Sequence, residues 1–530
     1  MPRRPAVELS RWYKHSMTVS GWLRSVVVSG VVLGAVGVAA PASAQTAEPF
    51  HSAKPETKLS KYLGGADLAV TAGTVFHAYM SPGETLDLAF SRAVRHKGET
   101  DATVTVTAPD GTRPKPCTIS ASAERGDTCG YHGLTSDTAG AWTIEYTADG
   151  KEPAAAANWT MTVKHGGRAV PGRVWTDVYR VRQGRDDSTD ISLYFLSEFG
   201  YQYQAIWRGY NAGKSTFQAN AAGLTHKGGC TPINHNASMN GEFSADLTRC
   251  GPYKVFFGAR PDPTLPDHAT TASGDTWLLR DPVEPKLGKA TFAPSTTRPS
   301  GGIFKVPVTD HHGVVSLRID VNNNGKFTDK VDRTLEQGVS ASGTKTIEFT
   351  WDGRDAKKHA VDRGKDVKVR ATVSRLAPIY FVGTDVEGRS GGLEVIHLTG
   401  DHVDERTLYW NDTSADDGSI SPHTVQEGVV HGTSLGGARS WKYGKLSWGD
   451  NRRIVEWTHD KVAIDGEVAT LTLPQRLPRQ GKSSEESQSL FALPDDETGW
   501  LVLSGVGTAV VGLGVLLVVA RLDRRRDQLT

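Results

Sequence analysis

The sequence predicts a mainly β protein: tandem β-sandwich domains plus one C-terminal transmembrane helix. Three observations carry that expectation. Apolar and polar residues alternate with period two along much of the chain, as in Thr103-Val104-Thr105-Val106-Thr107 and Trp159-Thr160-Met161-Thr162-Val163. Glycine is abundant, 57 of 530 residues, and falls largely in the turns between the alternating runs. One uncharged apolar run, Leu501 to Ala520, is long enough to cross a bilayer core of about 30 Å.

Composition excludes some classes. Lysine and arginine number 60 against 59 acids, a net charge of +1, so the basic excess of a nucleic-acid binder is absent. An apolar content of 38% is low but above that of disordered chains.

The two ends set the expected topology. Residues 1–44 read as a signal peptide, with Arg3, Arg4, Arg11, Lys14 and Arg24 before an apolar stretch, Val26 to Ala40. Ala42-Ser43-Ala44 is an A-x-A cleavage site, so the mature chain would begin near Gln45. At the other end Trp500 sits at the interface of a span over 500–520. Arg521, Arg524, Arg525 and Arg526 then hold a tail, 521–530, in the cytoplasm. The expected location is the plasma membrane, single-pass, with the ectodomain outside. Leu493-Pro494 and Thr498-Gly499 stand in the order of a sortase signal. Three residues separate Pro494 from Thr498 where that signal has one, which argues against wall sorting. Without its two basic ends the chain is mildly acidic.

Four cysteines, Cys117, Cys129, Cys230 and Cys250, all lie in the expected ectodomain, where disulfides persist. Three pairings are open; the local ones, 117 with 129 and 230 with 250, are favoured because each closes a short loop. The C-x2-C spacing of a zinc site is absent.

Between the ends the chain divides by composition. A polar leader covers 45–59, and a β-sandwich domain is expected over 60–166. A second β-rich domain, dense in aromatics, covers 167–280. A Pro/Ser/Thr-rich linker occupies 281–302. A third domain follows at 303–376, a fourth β-rich one at 377–471, and a polar stalk at 472–499.

Resemblances add detail. Phe76-His77-Ala78-Tyr79-Met80 before Pro82-Gly83-Glu84-Thr85 resembles the opening of bacterial pre-peptidase C-terminal domains, which are small sandwiches. Trp351-Asp352-Gly353-Arg354-Asp355, a polar gap, and the alternating run Asp366 to Val373 resemble the Ig-like domain of flagellar hook-capping proteins. Ile379-Tyr380-Phe381, Gly391 to Val395 and Thr407 to Asp412 follow in an order similar to that of bacterial, actinobacterial-type, adhesin-like surface proteins. These likenesses imply Ig-like or jelly-roll-like sandwiches on a cell surface. They imply no chemistry.

One loop does suggest chemistry. Asp320-Val321-Asn322-Asn323-Asn324-Gly325 follows D-x-[DN]-x-[DN]-G, the first half of a calcium loop. Oxygens of Asp320, Asn322 and Asn324 would converge on a hard cation, Gly325 would allow the turn, and Phe327 would tie the loop to the core. Position 12 is Val331 rather than Glu, so Asp329 and Asp332 would have to close the shell. Two neutral ligands suit the ~10⁻⁴–10⁻³ M affinity of extracellular modules. The competing reading is an Asn-Gly turn that needs no metal.

Other motifs fail on context. Gly432-Thr433-Ser434-Leu435-Gly436 matches a nucleophile elbow, but turn-like sequence follows it where a helix is required. Gly209 to Thr216 has the wrong spacing for a phosphate loop. His311-His312 and Asp401-His402 lack zinc-ligand spacing and read as solvated loop histidines. Tyr201, Tyr203 and Trp207 share one face of a strand, as either a sugar-binding stripe or core. The expected function is therefore non-catalytic, structural or adhesive. A carbohydrate-binding module is the alternative and a secreted-type hydrolase a more distant one. Expected partners are the membrane and cell-wall glycan or other surface proteins, not nucleic acid.

Overall fold

Alternation in sequence becomes alternation of burial. Along the strand Glu84–Arg92 every second residue is buried, Leu86, Leu88 and Phe90 among them, and those between are partly exposed. In the computed structural model the described residues are 69–475, apart from 94–97, 123–127, 149–155, 183–188, 212–213, 299, 384–388, 420–427, 432–447 and 462–463. The expected signal peptide, leader, membrane span and tail, with most of the stalk, lie outside them. The protein is mainly β; no helix of the described residues is long and apolar enough to cross a membrane.

Two large sheets bury one core between them. The first is seven-stranded and runs from Lys214–Phe217 through Tyr179–Arg182, Ala69–Val70, Ala157–His165 and Glu84–Arg92 to Thr128–Thr135, with Arg168–Ala169 beside Ala157–His165. The second is nine-stranded and antiparallel. It begins with Arg389–His397, Gln202–Tyr210, Thr189–Leu196 and Lys254–Phe256, and continues through Val174–Thr176 and Thr74–Met80 to Gly140–Ala148, Ala102–Thr107 and Cys117–Ile119. Phe76 of the second sheet lies 4.6 Å from Trp159 of the first, centroid to centroid. The Trp159 indole N–H donates to the Tyr179 hydroxyl at 3.1 Å, which satisfies a polar atom inside the aromatic core.

These sheets cross the segment limits read from composition. Strands from 60–166, 167–280 and 377–471 all belong to the nine-stranded sheet. The run read as a linker is also drawn into structure. Its Lys286–Leu287 and Thr291–Pro294 pair with the strand Gly302–Asp320. Polar composition concealed this, because edge strands keep one face in solvent and tolerate proline.

A third, six-stranded sheet is built on a long hairpin, Gly302–Asp320 against Arg333–Trp351, each strand 19 residues. A bulge between Thr309 and His311, with Asp310 at φ 53°, bends the first strand. Before the bend it pairs with 286–287 and 291–294; after it, with Asp366–Val373, which in turn pairs with Ile464–Thr472. Phe304, Leu317, Phe349, Trp351 and Val369 fill a separate core on this sheet. A five-stranded sheet around Arg452–Thr458 packs Leu224, Tyr380 and Trp457.

Candidate functional site

The candidate calcium loop is the tip of the long hairpin, joining Asp320 to Arg333. Asp320 ends its strand fully buried. Its carboxylate accepts the backbone N–H of Asn324 at 3.2 Å and of Gly325 at 2.7 Å. Asn322 Oδ1 accepts the Asn324 N–H at 3.1 Å, and Asn324 Oδ1 the Lys326 N–H at 2.8 Å. The amide groups of Asn322 and Asn324 donate to Asp329 Oδ2 at 3.2 and 2.6 Å. Asp332 accepts from the Val321 and Asp329 N–H groups at 3.3 and 2.9 Å. Asn323 and Gly325 take φ 58° and 85°, the left-handed conformation that Asn and Gly adopt at least cost.

All five residues named from the sequence therefore surround one turn. Hydrogen bonds from Asn324 and Asn322 hold the Asp329 carboxyl below its ordinary range. Burial raises that of Asp332, and the charges of Asp320 and Asp329 add to the rise. Among the described residues no group of three or more His, Cys, Asp or Glu side chains is disposed to hold a metal. A cation would need both amides to turn and present oxygen in place of N–H. Phe327 is buried, with the Arg370 guanidinium 4.7 Å over its ring. Val331 packs on the core of the third sheet, which accounts for an apolar residue at position 12.

The aromatic stripe is core. Tyr201, Tyr203 and Trp207 are 3%, 1% and 8% exposed. Gln202–Tyr210 is an interior strand, flanked by Thr189–Leu196 and Arg389–His397. The Tyr203 hydroxyl donates to the Ala377 carbonyl at 2.6 Å, and the Trp207 ring meets Phe217 at 4.9 Å and Phe381 at 5.7 Å. These three side chains present no face to a sugar.

The two adjacent histidines are also inside rather than in a solvated loop. His311 is buried, which pushes its pKa down to about 3, with His312 adding to the shift. The His312 ring bridges Glu198 Oε2 at 2.9 Å and Ser340 Oγ at 3.1 Å, while Ser342 donates to the same Glu198 oxygen at 2.8 Å. Burial opposes ionisation of Glu198, but the bonds from His312 and Ser342 outweigh it and hold the carboxyl below its usual range. Serine, histidine and carboxylate in a chain has the composition of a nucleophile relay. The neighbouring cavity, lined by Phe199, Tyr201, Tyr253 and His311, measures only ≈ 10 Å³, about one water. The chain of bonds fastens the hairpin to the turn that follows Thr189–Leu196. Sequence reading missed it, although counting outward from Ile319 opposite Arg333 puts His312 opposite Ser340.

His402 is 45% exposed at its side chain and pairs with Glu405. Gly209 to Thr216 links two strands, Gln202–Tyr210 and Lys214–Phe217, rather than a strand to a helix, so it is no phosphate loop. The G-x-S-x-G run at 432–436 lies outside the described residues.

Both local disulfides form, Cys117 with Cys129 and Cys230 with Cys250. The second closes a loop that grips both strands of the long hairpin. The Gly338 N–H donates to Thr231 Oγ1 at 2.8 Å, and a Cβ on Gly338 would overlap the Cys230 and Thr231 backbone. Gly251, at φ 75°, lies against the His312 ring so closely that it too has no room for a Cβ.

No family model matches the chain, and no curated protein matches it. Among solved structures it is similar to a DUF4785 family protein from Legionella pneumophila, with 9% identity over 62% of this chain and 80% of that one. The TM-score is 0.13, too low to carry an argument about fold or function.

Proposed function

We propose that this chain is an exported, membrane-anchored surface protein of a bacterial envelope, with a structural or adhesive role and no catalytic one. The observation that carries the reading is the pairing of all four cysteines inside an almost wholly β body. Two disulfides persist where the compartment is oxidising. The sequence supports the same location, since a signal peptide at 1–44 and a span at 500–520 would leave these cysteines outside. In this reading the two sheets that share a core form a β-sandwich, the long hairpin belongs to an Ig-like unit, and 472–499 is the stalk.

Calcium at Asp320, Asn322, Asn324, Asp329 and Asp332 is a further part of the proposal. It would stiffen the hairpin tip at the modest affinity of extracellular modules. Protease treatment of intact cells tests the whole reading. The expected result is loss of the folded body to the medium, with a membrane-bound remnant that keeps the arginine tail and a mature N-terminus near Gln45. A chain recovered whole from the soluble interior, with reduced cysteines, would overturn it.

A further inference from the structure

An open cleft of ≈ 600 Å³ lies between the strand Gln202–Tyr210 and the loops at 260–265 and 279–282. That is the size of a small-ligand site, usually about 300–1,000 Å³. Its wall carries Arg260, Arg280, Gln202 and Thr399 beside apolar Pro261 and Leu279. We propose that this cleft binds the C-terminal end of a peptide, taking its carboxylate between the two guanidiniums and its last side chain against the proline and leucine wall.

Three observations support the assignment. First, neither guanidinium is neutralised by an acid of the protein among the described residues. Arg260 donates to Gln202 Oε1 at 3.3 Å, Arg280 Nε is buried with no partner, and neither arginine forms an ion pair among the described residues. Asp281 lines the cleft as its acid, so the lining keeps a net positive charge. Glu198, whose carboxyl feels the Arg280 charge, is already engaged by His312 and Ser342.

Second, the arginines stand on fixed backbone. Gly172 packs so closely on the Arg260 carbonyl that a Cβ would overlap it, and the Asp262 N–H donates to the Gly172 carbonyl at 3.0 Å. Gly200 meets the Arg280 and Asp281 backbone in the same way, and the Val283 N–H donates to the Phe199 carbonyl at 3.0 Å. Arg173 Nε holds the Asp262 carboxylate at 2.6 Å. A site fixed before binding loses less conformational freedom on binding. Third, the chemistry matches. A guanidinium fork recognises a planar carboxylate through two parallel bonds, and an apolar wall beside it selects an anion with a hydrophobic body over a bare ion.

The test is a titration of the full-length protein in detergent with N-acetyl-Leu-Leu as the free acid, and with the same dipeptide amidated at its C-terminus. The acid should bind and the amide should bind at least about tenfold more weakly. A charge-assisted bond contributes about 1.5–3 kcal/mol, or roughly tenfold to a hundredfold in affinity. Arg260→Gln and Arg280→Gln should each weaken the acid by that factor and leave the amide and the melting temperature unchanged. If Arg280→Gln melts early, Arg260→Gln and the acid–amide comparison on the unaltered protein decide. Equal binding of acid and amide, no binding of either at about 1 mM, or equally strong competition by inorganic phosphate would each overturn the assignment.

Discussion

A missing Cβ at Gly338 lets the disulfide loop reach the long hairpin. Gly338→Ala should cost about 1–3 kcal/mol, the usual penalty of overpacking against backbone that cannot give. Gly343→Ala is the control. It lies in open space at φ 77°, so only the left-handed backbone is penalised, at about 1–2 kcal/mol. Urea denaturation of both variants measures the difference; a Gly338→Ala protein as stable as the parent would show that the grip is loose. Trp207→Ala should cost about 3–5 kcal/mol, as for any large core aromatic. It should leave glycan-array binding as it is in the parent, because the ring faces Phe217 and Phe381. Alternation placed Tyr203 and Trp207 on one side of the strand Gln202–Tyr210, while Tyr201 precedes the strand and is buried in the same core. It could not say which side faced a second layer, because Phe217 and Phe381, which cover that side, stand far along the chain or on another sheet.

Asp320 caps the loop's own N–H groups, so Asp320→Ala should destabilise the hairpin with or without metal. That substitution alone therefore does not test calcium. The discriminating measurement is the melting temperature of the unaltered protein in millimolar calcium and then in excess chelator. Bound calcium should raise it by mass action, and an unchanged value would leave the turn standing on hydrogen bonds alone. The loop itself was legible in the sequence because a turn and a calcium site ask for the same Asp, Asn and Gly at the same spacing. The bulge at Asp310 was not, since an aspartate before two histidines carries no turn signature. With it went the burial of His311 and the pairing of His312.

For the whole molecule, buried histidines set the response to acid. His311 is pushed down to about 3, and His397 and His459 to about 4, in each case by burial, against an ordinary value of 6.5. The folded protein thus keeps these rings neutral where the unfolded chain takes up protons. The histidine contribution to stability should fall as pH drops from about 6.5 towards 4, and level off below the folded values. Urea midpoints across that window measure the slope, and His311→Gln should reduce it. A midpoint that does not move between pH 7 and 4 would contradict the buried placement. The mainly β character could be read from alternation alone, whereas the domain limits could not, because pairing between distant segments leaves no local trace. The Arg208 side chain bonds Glu394 on the edge strand Arg389–His397 of the nine-stranded sheet, 186 residues away in sequence. A chain that emerges N-terminus first therefore has Gln202–Tyr210 ready long before Arg389–His397 exists to cover it. Until then its hydrogen-bonding edge is open to any passing strand, including that of another copy. Closure over so long a separation is intrinsically slow. Biogenesis should accordingly be the vulnerable stage of this protein's life. Truncation before residue 397 should yield aggregate rather than a smaller folded body, as sedimentation of a stop at residue 380 would reveal.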